Sequence, residues 1–386
     1  MKKHPFVDFY ESKKIIPVHQ DTTDFKKHLQ RRNALYHQLS VIPGWVAGRS
    51  VIEFGPGTGD NAMHTSSLLP ARYVLVDGNS ESVKEVKARV ADRRIHGDSV
   101  EVVHSLADDF ETDERFDLVI CEGLVPGQLD PSAFLRKIAG LCKPGGVVIT
   151  TTAGAASGLG DICRHAIMPF FTRQADDFWE QVDLAIDFFD PDLQMLPGMS
   201  RYPKDWVLDT VMYDWGERWW FSIADAIAAL DSNFAFHGSS PRFFQDMRWY
   251  KSIHGLRDYG FNELATQQYH ELVPLLLDYR NSPRDCPMVH QISGTQLETL
   301  CQQAWTVSRK VHTGKDLADL EEFLGIIRNV AQLVEGALPQ TAASLSDFCT
   351  GVSALHDGTR NLTNVDMGSF RGLFGRGQQY ISLVNV

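Results

Sequence analysis

The sequence lacks several features that would assign a protein class at once. Its six cysteines form no C-x-x-C pair, which removes the usual signals for a zinc site or a dithiol redox centre. The longest stretch without a charged residue, 144–160, is rich in glycine and threonine and too short for a membrane helix. No secretory leader is visible, because Asp8 and Glu11 interrupt the segment that would have to be apolar. We therefore expect a cytoplasmic protein with free thiols, no metal and no membrane span.

Positive charge is also scarce. The 386 residues contain 37 Lys and Arg against 49 Asp and Glu, a formal net charge of −12. Because phosphate contacts need clustered cations, this balance argues against a nucleic-acid partner. A hydrophobic content of 43% is typical of a globular protein with a substantial core. The length suits one large domain or two.

Strand-like and helix-like patterns alternate between residues 50 and 152. The predicted strands are 50–54, 72–77, 100–104, 116–121 and 147–152. The predicted helices between them are 60–69, 79–91 and 130–142. This alternation indicates a parallel sheet with helices on both faces. After Thr152 the alternation stops, and two later runs, 233–239 and 378–384, predict a sixth and a seventh strand.

A glycine-rich turn, Gly55-Pro56-Gly57-Thr58-Gly59, follows the first predicted strand. Such a turn lets a ligand approach bare backbone at the carboxyl edge of the sheet. The dinucleotide fingerprint G-x-G-x-x-G fails here, because its sixth position is Asp60, and no lysine of a P-loop follows. Asp77 closes the second strand, where a carboxylate can accept hydrogen bonds from ribose hydroxyls. A ligand with an adenosine end and no phosphate fits this pattern better than NAD does.

Four ordered motifs in residues 50–152 resemble the class I S-adenosylmethionine-dependent methyltransferases. They are Val51 to Gly59, Tyr73 to Asp77, Phe116 to Cys121 and Leu141 to Gly146. Sequences flanking the motifs, such as Ser239 to Phe243 and Trp249 to Lys251, are similar to a bacterial subgroup with large helical insertions.

The resemblance implies S-adenosyl-L-methionine as the cofactor and assigns residues to it. The residues it implies for the cofactor are Glu53, Gly55, Gly57, Asn61, Asp77, Gly78, Ser105, Leu106, Glu122 and Gly123. Ser105 stands where many relatives have Asp, so Asp108 competes for the adenine contact. Glu53 has an alternative role as a hydrogen-bond partner of the turn, and Gly59 one in helix packing.

The resemblance also implies an α/β fold, a Rossmann-like, doubly wound sheet of seven strands in the order 3-2-1-4-5-7-6 with helical cap insertions. The resulting division of the chain is an N-terminal helical segment covering the active site (1–48), the cofactor-binding core (49–156), an aromatic and acidic cap insertion (157–221), a return to the core with strand six (222–242), a helical insertion (243–365) and the last core strand (366–386). The cap aromatics, such as Trp206 and Tyr213, form either a substrate wall or the core of the cap. The helical insertions also fit a homodimer contact.

The expected reaction is methyl transfer to oxygen or nitrogen of a small molecule or glycan precursor. A base would assist a hydroxyl acceptor, and the candidates are Glu122, His19 and His237, with His165 as a further histidine. Alternatives are a protein or RNA methyltransferase, a non-catalytic module that kept the fold, and an NAD-binding oxidoreductase.

Overall fold

The computed structural model describes Phe9 and residues 22–97, 99–199, 201–216, 220–230, 233–254, 260–314 and 317–386. Within these residues the chain divides into two compact units. Unit 1 comprises Met1–Ala153, Arg218–Tyr269 and Gln379–Val386, and unit 2 comprises Gly154–Glu217 and His270–Gln378. Each unit is thus assembled from separated stretches of the sequence.

Unit 1 is built on a seven-stranded sheet. Its strands are β1 (Ser50–Phe54), β2 (Arg72–Asp77), β3 (Val100–His104), β4 (Phe116–Cys121), β5 (Cys142–Thr152), β6 (Phe234–Ser240) and β7 (Gln379–Asn385). The order across the sheet is β3-β2-β1-β4-β5-β7-β6, which confirms the predicted topology. The first five strands are parallel, and β7 runs antiparallel between β5 and β6. Strand β6 therefore runs in the same direction as β5 and ends at the same edge.

Six α-helices belong wholly or partly to the described residues of unit 1, and side chains cap several of them. They are α1 (Phe25–Gln38), α2 (Asp60–Ser67), α3 (Ser80–Ala91), α4 (Pro131–Ala139), α9 (Ile223–Leu230) and α10 (Phe261–Leu276), the last crossing into unit 2. The carboxylate of Asp24 accepts a hydrogen bond from the amide of Lys27 at the start of α1. Asn79 caps α3 in the same way, through the amides of Glu81 and Ser82.

Apolar residues of the central strands and helices form the core of unit 1. Val51, Leu75 and Ile120 are fully or almost fully buried there, and Tyr36 and Leu39 bring the end of α1 onto the same cluster. Because β1 and β4 lie in the centre of the sheet, burial on both faces explains why apolar residues dominate both strands, with Glu53 and Asp117 as the charged exceptions. The turn after β1 is thereby held on a rigid base.

Unit 2 is helical. Its helices are α5 (Leu159–Ala166), α6 (Met168–Thr172), α7 (Phe178–Gln194), α8 (Pro203–Val207), α11 (Gly294–Thr313), α12 (Leu320–Val334) and α13 (Pro339–His356). Trp206 and Tyr213 are buried inside this unit, so they belong to its core and do not form an open aromatic wall. Trp179, by contrast, keeps an exposed ring. Among the described residues, none of the helices is both long and apolar enough to cross a bilayer.

Candidate active site

The turn between β1 and α2 presents bare backbone at the carboxyl edge of the sheet. Gly55 and Gly57 both have positive φ, +69° and +56°, a conformation that other residues adopt with strain. A Cβ added to Gly55 would lie 2.6 Å from Cδ1 of Leu124, whereas one added to Gly57 would meet no atom within 4 Å. The turn therefore packs on one side and opens to a ligand on the other. Gly59 approaches the side chains of Ile95 and Val86 in the way expected of a helix-packing glycine.

Asp77 is held beside the turn by backbone hydrogen bonds. Its Oδ2 accepts from the amide of Gly57 at 3.1 Å, and its Oδ1 accepts from the amide of Asn79 at 2.8 Å. Burial raises the pKa of Asp77 to about 6, against these hydrogen bonds, which lower it. Each carboxylate oxygen keeps a further lone pair for a ligand hydroxyl. The predicted juxtaposition of turn and acid is therefore present.

Glu53 is buried behind the turn and binds a side chain. The phenolic hydroxyl of Tyr73 on β2 donates to its Oε2. Burial, together with the nearby negative charge of Glu122, raises the pKa of Glu53 to about 7. The side-chain partner of Glu53 is thus Tyr73, whereas the alternative role predicted for Glu53 was a hydrogen bond with the turn.

Glu122, just after β4, is the centre of the charged network in unit 1. Arg32 on α1 donates two hydrogen bonds to it, Nη1 to Oε2 at 3.0 Å and Nη2 to Oε1 at 2.7 Å. Asn61 on α2 donates a third, from Nδ2 to Oε2 at 2.9 Å. The structure therefore brings the predicted residues Asn61 and Glu122 together.

Arg32 is a site residue that the sequence analysis missed. It is buried, and its guanidinium carbon lies 5.8 Å from the ring centroid of Tyr36. Burial lowers the pKa of Arg32, but the charge of Glu122 and the hydrogen bonds to it outweigh burial and raise it overall. A signal was available, because Arg32 falls on the same helical face as Tyr36. A cation on the buried face of a helix needs a buried anion.

The remaining predicted cofactor residues lie at the ends of β2, β3 and β4. The amide of Ser105 donates to the carbonyl of Asp77, and Leu106 packs on Gly78, where an added Cβ would lie 2.6 Å from the leucine Cδ2. The amide of Gly123 donates to Oγ1 of Thr151 at 2.7 Å. The competing residue Asp108 offers its carbonyl to the ammonium of Lys137.

The candidate histidines lie at different places. Nε2 of His237 is 3.0 Å from the carbonyl oxygen of Ser40, beyond the end of α1, while Glu122 binds Arg32 two turns earlier on that helix. His165 is buried inside unit 2, where its ring stacks on that of His312. His19 lies outside the described residues. Among the described residues there is no group of three or more metal-ligating side chains.

Comparison with known proteins agrees with this geometry over one part of the chain. Residues 51–146 match the sequence model of a family described as "Methyltransferase domain". They contain the turn, Asp77 and Glu122, so the fold and this match together confirm the resemblance to class I S-adenosylmethionine-dependent methyltransferases for this segment. Among curated proteins, none matches the sequence.

The solved structures that this chain matches include several methyltransferases. A magnesium protoporphyrin IX methyltransferase from Synechocystis PCC 6803 is 15% identical with a TM-score of 0.33. The match covers 55% of this chain and 75% of the Synechocystis chain. The N-methyltransferase NodS from Bradyrhizobium japonicum WM9 is 17% identical with a TM-score of 0.31, and the match covers 39% of this chain and 75% of the NodS chain. An S-adenosylmethionine-dependent methyltransferase from Mesorhizobium loti is 16% identical with a TM-score of 0.26, and the match covers 29% of this chain and 50% of the Mesorhizobium chain. The chain spans about half the length of the first such structures.

Proposed function

We propose that this protein uses S-adenosyl-L-methionine to methylate an oxygen or nitrogen of a small molecule or glycan precursor. The observation that carries the proposal is the open backbone of Gly57 hydrogen-bonded to Asp77 at the carboxyl edge of the sheet. A ligand with ribose hydroxyls but no phosphate suits this arrangement, because the acid accepts hydrogen bonds and would repel phosphate.

The residues present fit the cofactor at both of its polar ends. Asp77 has lone pairs for the two ribose hydroxyls, and the glycine turn has room above it. Arg32 and Glu122 offer one cation and one anion for the carboxylate and ammonium of the methionine end. The cofactor, when bound, supplies a methyl group that is already electrophilic.

The chain's own task is then alignment and exclusion of water. Glu122 receives three hydrogen bonds from Arg32 and Asn61, which occupy most of the acceptor positions of its carboxylate and fix its orientation. We therefore infer a positioning role for Glu122. Catalysis by His19 or His237 stays a prediction.

Calorimetric titration with S-adenosylhomocysteine tests cofactor binding. We expect Asp77→Ala to weaken binding by about tenfold to a hundredfold, because hydrogen bonds to a charged acceptor are lost. Asp92→Ala, which changes an exposed acid at the end of α3, is the matched control and should bind as the parent does. If titration of the parent protein releases no heat, both hypotheses fail: the methyltransferase and the non-catalytic module that binds the cofactor.

The acceptor class needs a separate experiment. Isotopically labelled cofactor would be offered with hydroxylated and aminated small molecules, glycan precursors, protein and RNA. We expect the label in the small-molecule or glycan fraction, since the net charge of −12 disfavours a polyanionic acceptor. Label in protein or RNA alone would favour the alternative acceptor class. Binding of NADH, seen by its fluorescence, would favour the oxidoreductase.

A further inference from the structure

The segment after β6 displays large side chains to solvent. Met247 is 92% exposed, Trp249 is 66% exposed and Tyr250 is 70% exposed. We name these three side chains, with Lys251, the aromatic tip. Burying such side chains is normally favourable, so a cluster of them at the surface indicates an interaction site.

The aromatic tip is fixed by the structure around it. Gln245 and Gln268 exchange two hydrogen bonds, of 2.8 and 2.6 Å, which tie the segment to α10. Ser252 closes a short helical turn through the carbonyl of Trp249. A surface that is ordered in advance does not have to lose conformational entropy when a partner binds.

The charges of this segment are opposite to those of the chain as a whole. Residues 242–254 contain three cations, Arg242, Arg248 and Lys251, and one acid, Asp246, in a protein of net charge −12. Arg248 pairs with Asp246 at 2.6 Å, so the positive charge of the segment rests on Arg242 and Lys251. The ammonium of Lys251 lies 5.1 Å from the ring centroid of Trp249 and 5.8 Å from that of Tyr250. Aromatic rings and cations are therefore presented together.

We propose that the aromatic tip docks this protein on an anionic lipid surface. Trp and Tyr rings settle at the headgroup level of a bilayer, and Lys and Arg beside them attract anionic headgroups. These side chains are largely exposed to solvent, which suits contact with an extended surface better than the enclosed site that a small ligand needs. The remainder of the chain carries a net negative charge, which disfavours docking on an anionic surface through its acidic parts.

The size of the tip favours lipid over a protein partner. Two aromatic rings bury about 150 to 250 Å² each, so together the two rings offer about 500 Å² at most. A stable protein interface needs about 800 Å² from each partner and is depleted in lysine at its core. Insertion into a headgroup region requires only a few side chains.

The test is sedimentation of the full chain with sucrose-loaded vesicles of phosphatidylcholine, with and without phosphatidylserine. We expect binding to the phosphatidylserine vesicles that decreases as salt is added. The double variant Trp249→Ala/Tyr250→Ala should bind these vesicles at least about tenfold more weakly than the parent protein, and Lys251→Ala about fivefold more weakly. Ile42→Ala removes an equally exposed apolar side chain elsewhere in unit 1 and should change nothing.

Several results would overturn the proposal. These are no vesicle binding by the parent protein, equal binding to neutral and anionic vesicles, and undiminished binding by the double variant. A dimer in light scattering that dissociates in the double variant, without vesicle binding, would instead assign the tip to a second copy. Since vesicle binding needs no cofactor, failure here is distinguishable from failure of the proposed methyl transfer.

Discussion

The two units use buried charge in different ways. In unit 2, Arg164 is fully buried, and Nε and Nη2 bind Oδ2 of Asp192 at 3.1 and 3.0 Å. Arg371 binds the other oxygen at 2.7 Å, and the ring of Phe374 lies 4.1 Å from the Arg164 guanidinium carbon. Both carboxylate oxygens of Asp192 are thus engaged by cations. This arrangement is a closed structural network.

In unit 1 the charged groups converge on an edge that is open. Asp77 and Glu122 lie at the ends of strands beside a turn whose backbone has room for a ligand. Asp77 keeps acceptor capacity after its internal hydrogen bonds are counted. The comparison teaches that burial and charge do not by themselves mark a functional site. Unused hydrogen-bonding capacity beside open backbone does so better.

The largest effect is expected from breaking the closed network of unit 2. Asp192→Asn would leave Arg164 and Arg371 without their carboxylate, and an uncompensated buried charge costs about 3–5 kcal/mol of folding free energy. Chemical denaturation followed by circular dichroism measures the loss. Asp187→Asn, an exposed acid on the same helix, should cost less than about 0.5 kcal/mol. Equal stability of the two variants would show that the network is not structural.

The second largest effect is expected at Glu53 in unit 1, and it concerns how folding stability depends on pH. Its folded-state pKa, about 7, lies above its ordinary value of 4.5, so the folded protein binds the proton more tightly. Stability from this group is therefore highest below about pH 4.5 and falls as the pH rises to about 7. Glu53→Gln keeps an acceptor for Tyr73 and removes this loss, so the variant should be more stable than the parent at neutral pH by about 3 kcal/mol.

The free energy of unfolding across pH 4 to 8 checks this expectation. The difference between Glu53→Gln and the parent should grow with pH in that window. Glu111→Gln, at an exposed position of the same unit, should give a difference that does not change. A pH-independent difference at Glu53 would mean that its carboxyl has the same pKa in the folded and the unfolded protein.

The third prediction concerns ligand affinity and tests the open edge of the sheet in unit 1 directly. Arg32→Lys keeps the charge but loses the paired geometry toward Glu122, so affinity for S-adenosylhomocysteine should fall by about tenfold. Calorimetry measures it, with Arg31→Lys, an exposed neighbour on α1, as the control. Unchanged affinity would remove Arg32 from the proposed site and leave it a structural partner of Glu122.

Sequence and structure agree where a local pattern fixes the geometry. The turn and Asp77 were predictable because strand, glycine turn and strand end are each short-range features, and the strand order followed from the resemblance. Arg32 was not, because its partner Glu122 lies 90 residues away and the contact depends on how α1 packs. His237 was predicted at a strand end, but β6 extends to Ser240 and has an irregularity between Phe236 and Gly238.

The smallest change in stability at neutral pH is expected from the histidine pair of unit 2. The pH dependence of stability that this pair causes is opposite in sign to that caused by Glu53. The rings of His165 and His312 are stacked with centroids 3.8 Å apart, and Nδ1 of His312 donates to the carbonyl of His165. Burial lowers the pKa of both rings. The positive charges of His312 and Arg309 lower that of His165 further, while Asp214 opposes this at His312.

A histidine whose folded pKa is lowered contributes stability above its ordinary pKa of 6.5, and this stability is lost as the pH falls below that value. His165→Phe keeps an aromatic ring and removes one titrating group. Relative to the parent, the variant should therefore gain stability on acidification from pH 7 to 5, measured by denaturation at each pH. His356→Phe, at the exposed end of α13, should show no such gain. If both variants follow the parent, protonation of the stacked pair is not coupled to folding.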